Sequence, residues 1–520
     1  MFLRKKVNAS GSVSVQVVAK TRSRKQEVIK SIGVGRTASE VEELTRRGLA
    51  AMDELRGPFL PGLFDDSSGI RSFIETIGNE QVQVIGPELV YGHLFDQIGY
   101  GALEAPLFRH LVICRLFSPG SKLKTIDYLE RYLHVHYTPS RIYRFLDELC
   151  CRPASGAGKA KAGLKEQVEQ ISYRHTLGVV GGAVCVCFYD MTTLYFEAAE
   201  EDELRRYGFS KDGKNTCPQI FLGLLVASGG NPIGYELFEG NTAESKTLIP
   251  MIKGLAGKFD FGKPIVVADS GLLTKRNIDE LKREGYQFIL GARPKCEVAA
   301  VRERILGLKL KDGEMAVIDK GGGCRLIVSM SEKRARKDEH NRQKGLNRLQ
   351  KNLGSGKLTK QNINNRGYNK YLVMKGNIEI SIDMQRFTED ARWDGIKGYL
   401  TNTTLSKEDI LANYGNLWLI ERAFRFNKGD LAARPIYHRL RNRIEGHICI
   451  CFTAYTIILE LERRLTKAKC GLTVCRAQEL TKNMYAITCI LPNRTTPQRI
   501  ILKMTEEQKA LLDAVRQKDK

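Results

Sequence analysis

The chain predicts a mixed α/β protein, one central sheet with helices on its faces. Three observations carry this prediction. Residues 184–189 (VCVCFY) are an unbroken apolar and aromatic run leading into Asp190, the pattern of a strand covered on both faces. Residues 265–268 (IVVA) repeat the pattern and lead into Asp269. Strand patterns come first (184–189, 219–227, 233–238) and then alternate with helical ones around Leu248–Leu255 and over 275–284, ending in a strand over 286–292. A carboxylate that closes a buried strand is either an ordinary turn Asp or a group held at a crevice for metal binding or acid–base work.

The elements before the sheet read in order. Residues 1–35 form a small β unit. Val13, Val15 and Val17 alternate with Ser12, Ser14 and Gln16, and Val28, Ile29 and Ile32 supply a partner strand. Ser39 and Glu42 form a capping box for a helix carrying Val41, Leu44, Met52 and Leu55. Residues 57–69 read as a linker. Helical patterns then fill 87–151. Pro87 suits a first turn and Gly99 a stop. Helices over 106–117 and 122–133 follow, and Thr138-Pro139-Ser140 starts another. This region is either a helix-turn-helix DNA-binding module or a plain bundle; Arg141 and Arg144 stand where phosphate or base contacts would fall. Residues 152–163 are a Gly, Ala and Lys linker.

Within the sheet region, 208–215 (GFSKDGKN) is a basic loop that carries Lys211. The alternation breaks after Arg293, so 295–394 reads as an insertion. Its basic segment 332–357 is either a solvated helix or a DNA-facing arm, and strands follow at 371–374 and around Ile378, Ile380 and Ile382. Ser406 with Glu408 and Asp409 opens one long helix through 414–428, on which a spacing of seven places Tyr414, Glu421 and Lys428 on one stripe. The domain reading is 1–69, 70–163, 164–294, 295–394, 395–465 and a C-terminal basic region, 466–520.

Composition narrows the partners. The 520 residues carry a net charge of +23, which favours a polyanion, nucleic acid before membrane surface. The 13 Cys are odd in number, sit mostly in apolar runs and form no Cys-x-x-Cys pair, which suits free thiols in a reducing compartment. The longest apolar run, 448–461, contains Glu460 and is short for a membrane span. The expectation is a cytoplasmic, nucleoid-associated protein with no membrane partner.

Three carboxylates, Asp190, Asp269 and Glu421, end two buried strands and mark one helix. Carboxylate oxygens are ligands for hard cations, and paired cations clamp the attacking and leaving oxygens of a phosphoryl displacement. Phosphate-loop, Gly-x-Ser-x-Gly and His-Glu-x-x-His motifs are absent from the sequence. With FYDMTTLYFE, VVADSGLLT and YGNLWLIERAFRFNK on the page, together with GFSKDGK, FEGNTAE and RPIYH, the chain resembles bacterial insertion-sequence transposases of the DDE type. More narrowly, it resembles the group with a Tyr-x2-Arg-x3-Glu-x6-Lys signature, over most of 183–455.

The resemblance implies a ribonuclease H-like catalytic core with a β-rich insertion, preceded by the small β unit and the helical DNA-binding region. It implies Asp190, Asp269 and Glu421 as catalytic metal ligands for Mg²⁺, with Mn²⁺ as a substitute. It implies Tyr414 and Lys428 as contacts to DNA near the cleaved phosphate. The partners it implies are double-stranded DNA, both terminal inverted repeats and target, bound by a homodimer on paired ends. One position departs from the signature: Leu417 stands where the Arg would be. Arg425, one helical turn beyond Glu421, is the expected replacement, with Leu417 packed into the core beside Trp418. The competing readings are a ribonuclease H-like nuclease that does not transpose and a domesticated, non-catalytic DNA-binding protein.

Overall fold

The computed structural model describes residues 2–20, 26–55, 73–150, 163–197, 200–210, 213, 216–364, 367–375, 379–490 and 496–517. Lys211 and half of the 208–215 loop, Arg22, Arg24, Lys25, Ile378, the 57–69 linker and all but the last residue of the 152–163 linker lie outside them. The chain divides into two compact units, residues 1–82 with 487–500, and residues 83–486 with 501–520.

The first unit holds an antiparallel meander, β1 (Phe2–Val7), β2 (Val13–Lys20) and β3 (Gln26–Gly35), with the helix Ala38–Leu55 packed on β2 and β3. The register of β2 against β3 shifts after Val15 and again after Val17. The strict alternation expected along β2 breaks there, and Val17 and Val18 are both buried. The helix cap also differs from expectation. Thr37 accepts from the Glu40 N–H, and the Glu40 carboxylate accepts from the Arg36 and Thr37 N–H groups. Thr37 and Glu40 therefore form the box, two residues earlier than Ser39 and Glu42.

The second unit is built on an eight-stranded sheet. Its strands are β4 (Val186–Tyr195), β5 (Gln219–Val226), β6 (Pro232–Glu239), β7 (Ile265–Ala268), β8 (Phe288–Ala292), β9 (Met315–Gly321), β10 (Cys324–Met330) and, after a separate hairpin of β11 (Leu372–Lys375) and β12 (Glu379–Ile382), β13 (Ile396–Thr401). The order across the sheet is β9-β10-β13-β8-β7-β4-β5-β6. β4, β5 and β6 are an antiparallel meander; β7 is parallel to β4 and β8 to β7; β13, β10 and β9 add antiparallel.

Alternating side chains build two cores. Phe188, Leu194, Val267 and Ile289 face one side, and Cys187, Tyr189, Val266 and Phe288 the other. The first side is covered by the helices Trp418–Lys428 and Arg441–Ala468, and the helices Pro106–Phe117 and Pro139–Cys150 pack on the latter. Arg441–Ala468 is long and apolar enough to cross a membrane, but 94% of its apolar window is buried inside the protein. Leu248–Lys258 and Lys275–Arg283 cover the second side.

Two expectations about elements are corrected. The insertion is mixed rather than β-rich. It contributes hairpins, but its longest element is the 23-residue helix Glu332–Gly354, formed by the basic segment. The single helix expected through 414–428 is two, Lys407–Gly415 and Trp418–Lys428. Asn416 and Leu417 separate them, just where Gly415 and Asn416 bring two residues of low helix propensity together.

Candidate active site

Asp190 is not at the end of its strand. The β-branched and apolar residues Thr192, Thr193 and Leu194 continue the ladder against β5 as far as Tyr195. Asp190 thus sits mid-strand, opposite Leu224, with Oδ1 accepting from the Met191 N–H at 2.7 Å. Asp269 follows the last residue of β7, as expected. The parallel register pairs Tyr189 with Ala268, so the next residues along the two strands are Asp190 and Asp269. Both share the side-chain parity of Phe188 and Val267, so both face the side of the sheet covered by the Trp418–Lys428 helix.

Glu421 is exposed in the first turn of that helix, which packs across β4 and β5. Ile420, Ala423 and Phe424 bury its opposite face in the core. Among the described residues, no group of three or more His, Cys, Asp or Glu is gathered closely enough to hold a metal ion. The two aspartates are brought side by side; Glu421 lies over the same sheet face but does not join them in one cluster.

Tyr414, on the preceding helix, donates its hydroxyl to Asp269 Oδ1 at 2.9 Å. The Ser270 N–H donates to the same oxygen at 2.6 Å. Burial, followed by the charge of Asp269, pushes the Tyr414 phenol well above its ordinary range, so the group is a donor at any working pH. The close approach depends on Gly291 in β8, where a Cβ would collide with the Tyr414 hydroxyl and lie 2.9 Å from the Ser270 nitrogen. Gly291 is not among the candidate residues named from sequence, although a glycine inside a buried strand (FILGA) is a signal of such an approach.

From Asp269 and Tyr414 an open cleft of about 650 Å³ runs along the insertion. Arg293, Lys295, Arg334, Arg342, Lys370 and Lys397 line it against Asp269, Asp338, Asp390 and Asp394, a net basic wall beside an acid. Burial and the Arg334 charge lower the Lys397 ammonium. The basic helix Glu332–Gly354 thus contributes to this wall through Arg334 and Arg342.

The remaining expected contacts divide. Arg425 is exposed, whereas Arg422 pairs with Glu462 at 2.5 Å. Leu417 packs against the core, but Trp418, expected beside it, is 52% exposed, because it lies on the outward stripe of its helix with Glu421 and Arg425. Lys428 lines a small internal space with Thr192 and Leu194. Arg141 and Arg144 are exposed, and Arg141 pairs with Glu148 at 3.0 Å.

A family model described as a Transposase DDE domain matches residues 185–457, just over half of the chain. No curated protein sequence matches the chain. Among solved structures, a cryo-EM structure of the piggyBac transposase synaptic complex with hairpin DNA is similar at 8% identity, a TM-score of 0.39 and coverage of 76% of each chain.

Proposed function

The chain belongs to the Transposase DDE domain family and is a DDE-type DNA transposase, and on that premise we propose that it acts on the terminal inverted repeats of a bacterial insertion sequence. It cuts those ends and joins them to target DNA. The observation that carries this reading is the pair Asp190 and Asp269, set next to each other on neighbouring parallel strands with their side chains toward one helix-covered face. The strand order supports a ribonuclease H-like core: an antiparallel meander with two further strands added parallel to its first.

The two carboxylates fit a hard divalent cation, Mg²⁺ or Mn²⁺, and Glu421 is the third proposed ligand. Bound there, such a cation supplies charge neutralisation at the phosphoryl oxygens. The chain's own residues do the rest. Ser270 and Tyr414 donate to Asp269 Oδ1 and so fix the orientation of the carboxylate that would hold the cation. The 414–428 segment follows the Tyr-Arg-Glu-Lys pattern with Leu417 in the Arg position, and the exposed Arg425 takes the phosphate contact. Tyr414, Lys428, Lys211, Arg141 and Arg144 complete the proposed DNA contacts, and a homodimer holds paired ends in the nucleoid.

The test is incubation of the full chain with end DNA and Mg²⁺, with products resolved strand by strand. Asp190→Asn, Asp269→Asn and Glu421→Gln are each expected to abolish cleavage while DNA binding persists, since a metal needs the charge and the fold does not. Full cleavage by any one variant would remove that residue from the site.

A further inference from the structure

Away from the two aspartates lies a second cleft, of about 740 Å³. It is walled by residues 432–440, the start of the Arg441–Ala468 helix, and the helices Pro106–Phe117, Lys122–Leu133 and Pro139–Cys150. Two of its lining residues are buried cations: Arg115 is 5% exposed and Lys122 6%. No Asp or Glu among the described residues lines this cleft. Two acids near the rim are engaged there, Asp147 with Arg443 at 2.9 Å and Glu200 with Arg439 at 3.7 Å. Among the described residues Arg115 has one long hydrogen bond, to the Leu431 carbonyl at 3.4 Å.

A buried ammonium beside a buried guanidinium, with no carboxylate among the described residues lining their cleft, is unfavourable unless something anionic enters. Burial and the Arg115 charge accordingly pull the Lys122 ammonium down to about 7. The cleft also receives the N-terminus of the 12-residue Lys122–Leu133 helix, capped by Ser121, whose dipole adds positive potential. A third buried group faces the cleft. His447 is bonded through Nε2 to the Ala433 carbonyl at 3.1 Å, so Nε2 carries the proton. Its Nδ1 is then a buried acceptor without a partner among the described residues, open to the water or hydroxyl that accompanies an incoming group.

We propose that this cleft is a phosphate-binding site in which Lys122 and Arg115 hold one phosphate group of bound DNA. A guanidinium and an ammonium together match the several acceptor oxygens of a phosphate. The source of the phosphate, DNA, rests on the transposase reading; the need for an anion follows from the two buried cations alone.

The experiment uses the full chain at constant ionic strength with inorganic phosphate, with duplex carrying the terminal repeat, or with chloride only. Two quantities are read, the thermal midpoint and the rate of Lys122 acetylation followed by peptide mass spectrometry. Phosphate is expected to raise the midpoint and slow acetylation of Lys122 but not of the exposed Lys124, and end DNA to slow it as well. Lys122→Met should abolish the phosphate-dependent rise in midpoint, leave the chloride midpoint no lower than wild type, and reduce the salt slope of DNA binding by about 0.9. Lys124→Met should retain the phosphate response. Equal acetylation with and without phosphate would overturn the site, without need of any variant. Protection by phosphate but not by DNA that is bound and cleaved would overturn the assignment to DNA while leaving the transposase reading intact.

Discussion

Asp269 owes its setting to two neighbours that carry no charge. Gly291 leaves the space through which the Tyr414 hydroxyl reaches Oδ1, and Tyr414 then holds that oxygen at 2.9 Å. Tyr414→Phe is expected to slow end cleavage about tenfold, the loss of one hydrogen bond to a charged group, with little change in melting midpoint. Gly291→Ala should slow cleavage through the same bond, so the double variant should be no slower than the worse single one. Additive losses would show that the two residues act separately. The two arginines beyond Glu421 make a second contrast. Arg425→Ala should weaken end-DNA binding by about 1.5–3 kcal/mol. Arg422→Ala breaks only a half-exposed pair with Glu462, and should cost stability about 0–1 kcal/mol without touching DNA affinity. The opposite ranking in a binding titration would mean that the other face of the helix meets DNA.

At the scale of elements, the Arg441–Ala468 helix ties the sheet to the N-terminal helices, and its one deeply buried acid is held by cations. Burial pushes the Glu460 carboxyl up, but His175, Arg463 at 2.7 Å and Arg464 at 2.6 Å overcome this and hold it down at about 2. A carboxylate lowered from its ordinary value near 4.5 contributes stability that is present above that value. The contribution is lost as pH falls from about 4.5 toward about 2. Denaturant midpoints measured across this range should therefore fall steeply for wild type and more shallowly for Glu460→Gln. At neutral pH the variant should lose about 3–5 kcal/mol, because Arg464 stays buried without its partner. A flat wild-type profile below pH 4.5 would refute this account.

At the scale of the whole molecule, the helices expected to form a separate DNA-binding module share a core with the eight-stranded sheet. Leu107, Phe108, Ile142 and Leu146 belong to the same hydrophobic cluster as Phe188, Phe424 and Ile448. The Gly446 position, where a Cβ would lie 3.1 Å from the Leu146 carbonyl, shows how closely the long helix approaches. A fragment covering 83–150 alone exposes all of that surface, and it is expected to lack cooperative unfolding and amide protection in hydrogen exchange. A stable, protected fragment would mean that this region folds independently after all.

Local pattern was enough for much of this protein. The helices Pro106–Phe117 and Lys122–Leu133, the strand Ile265–Ala268 and the cap at Ser406 follow from apolar spacing, proline position and capping chemistry, all of which act within a few residues. Asp190, Asp269 and Glu421 stood out as candidates for the same reason: each stands against an apolar background of its own segment. What the sequence could not determine was set by contacts between segments distant in the chain. The continuation of β4 past Asp190 depends on pairing with β5, and the adjacency of Asp190 and Asp269 on the parallel register of β4 and β7. The Tyr414 bond to Asp269 spans 145 positions, and the buried pair Arg115 and Lys122 gains its isolation from residues more than 300 positions away. Such arrangements follow from the packing of complementary surfaces over the whole unit, a property that no window of sequence contains.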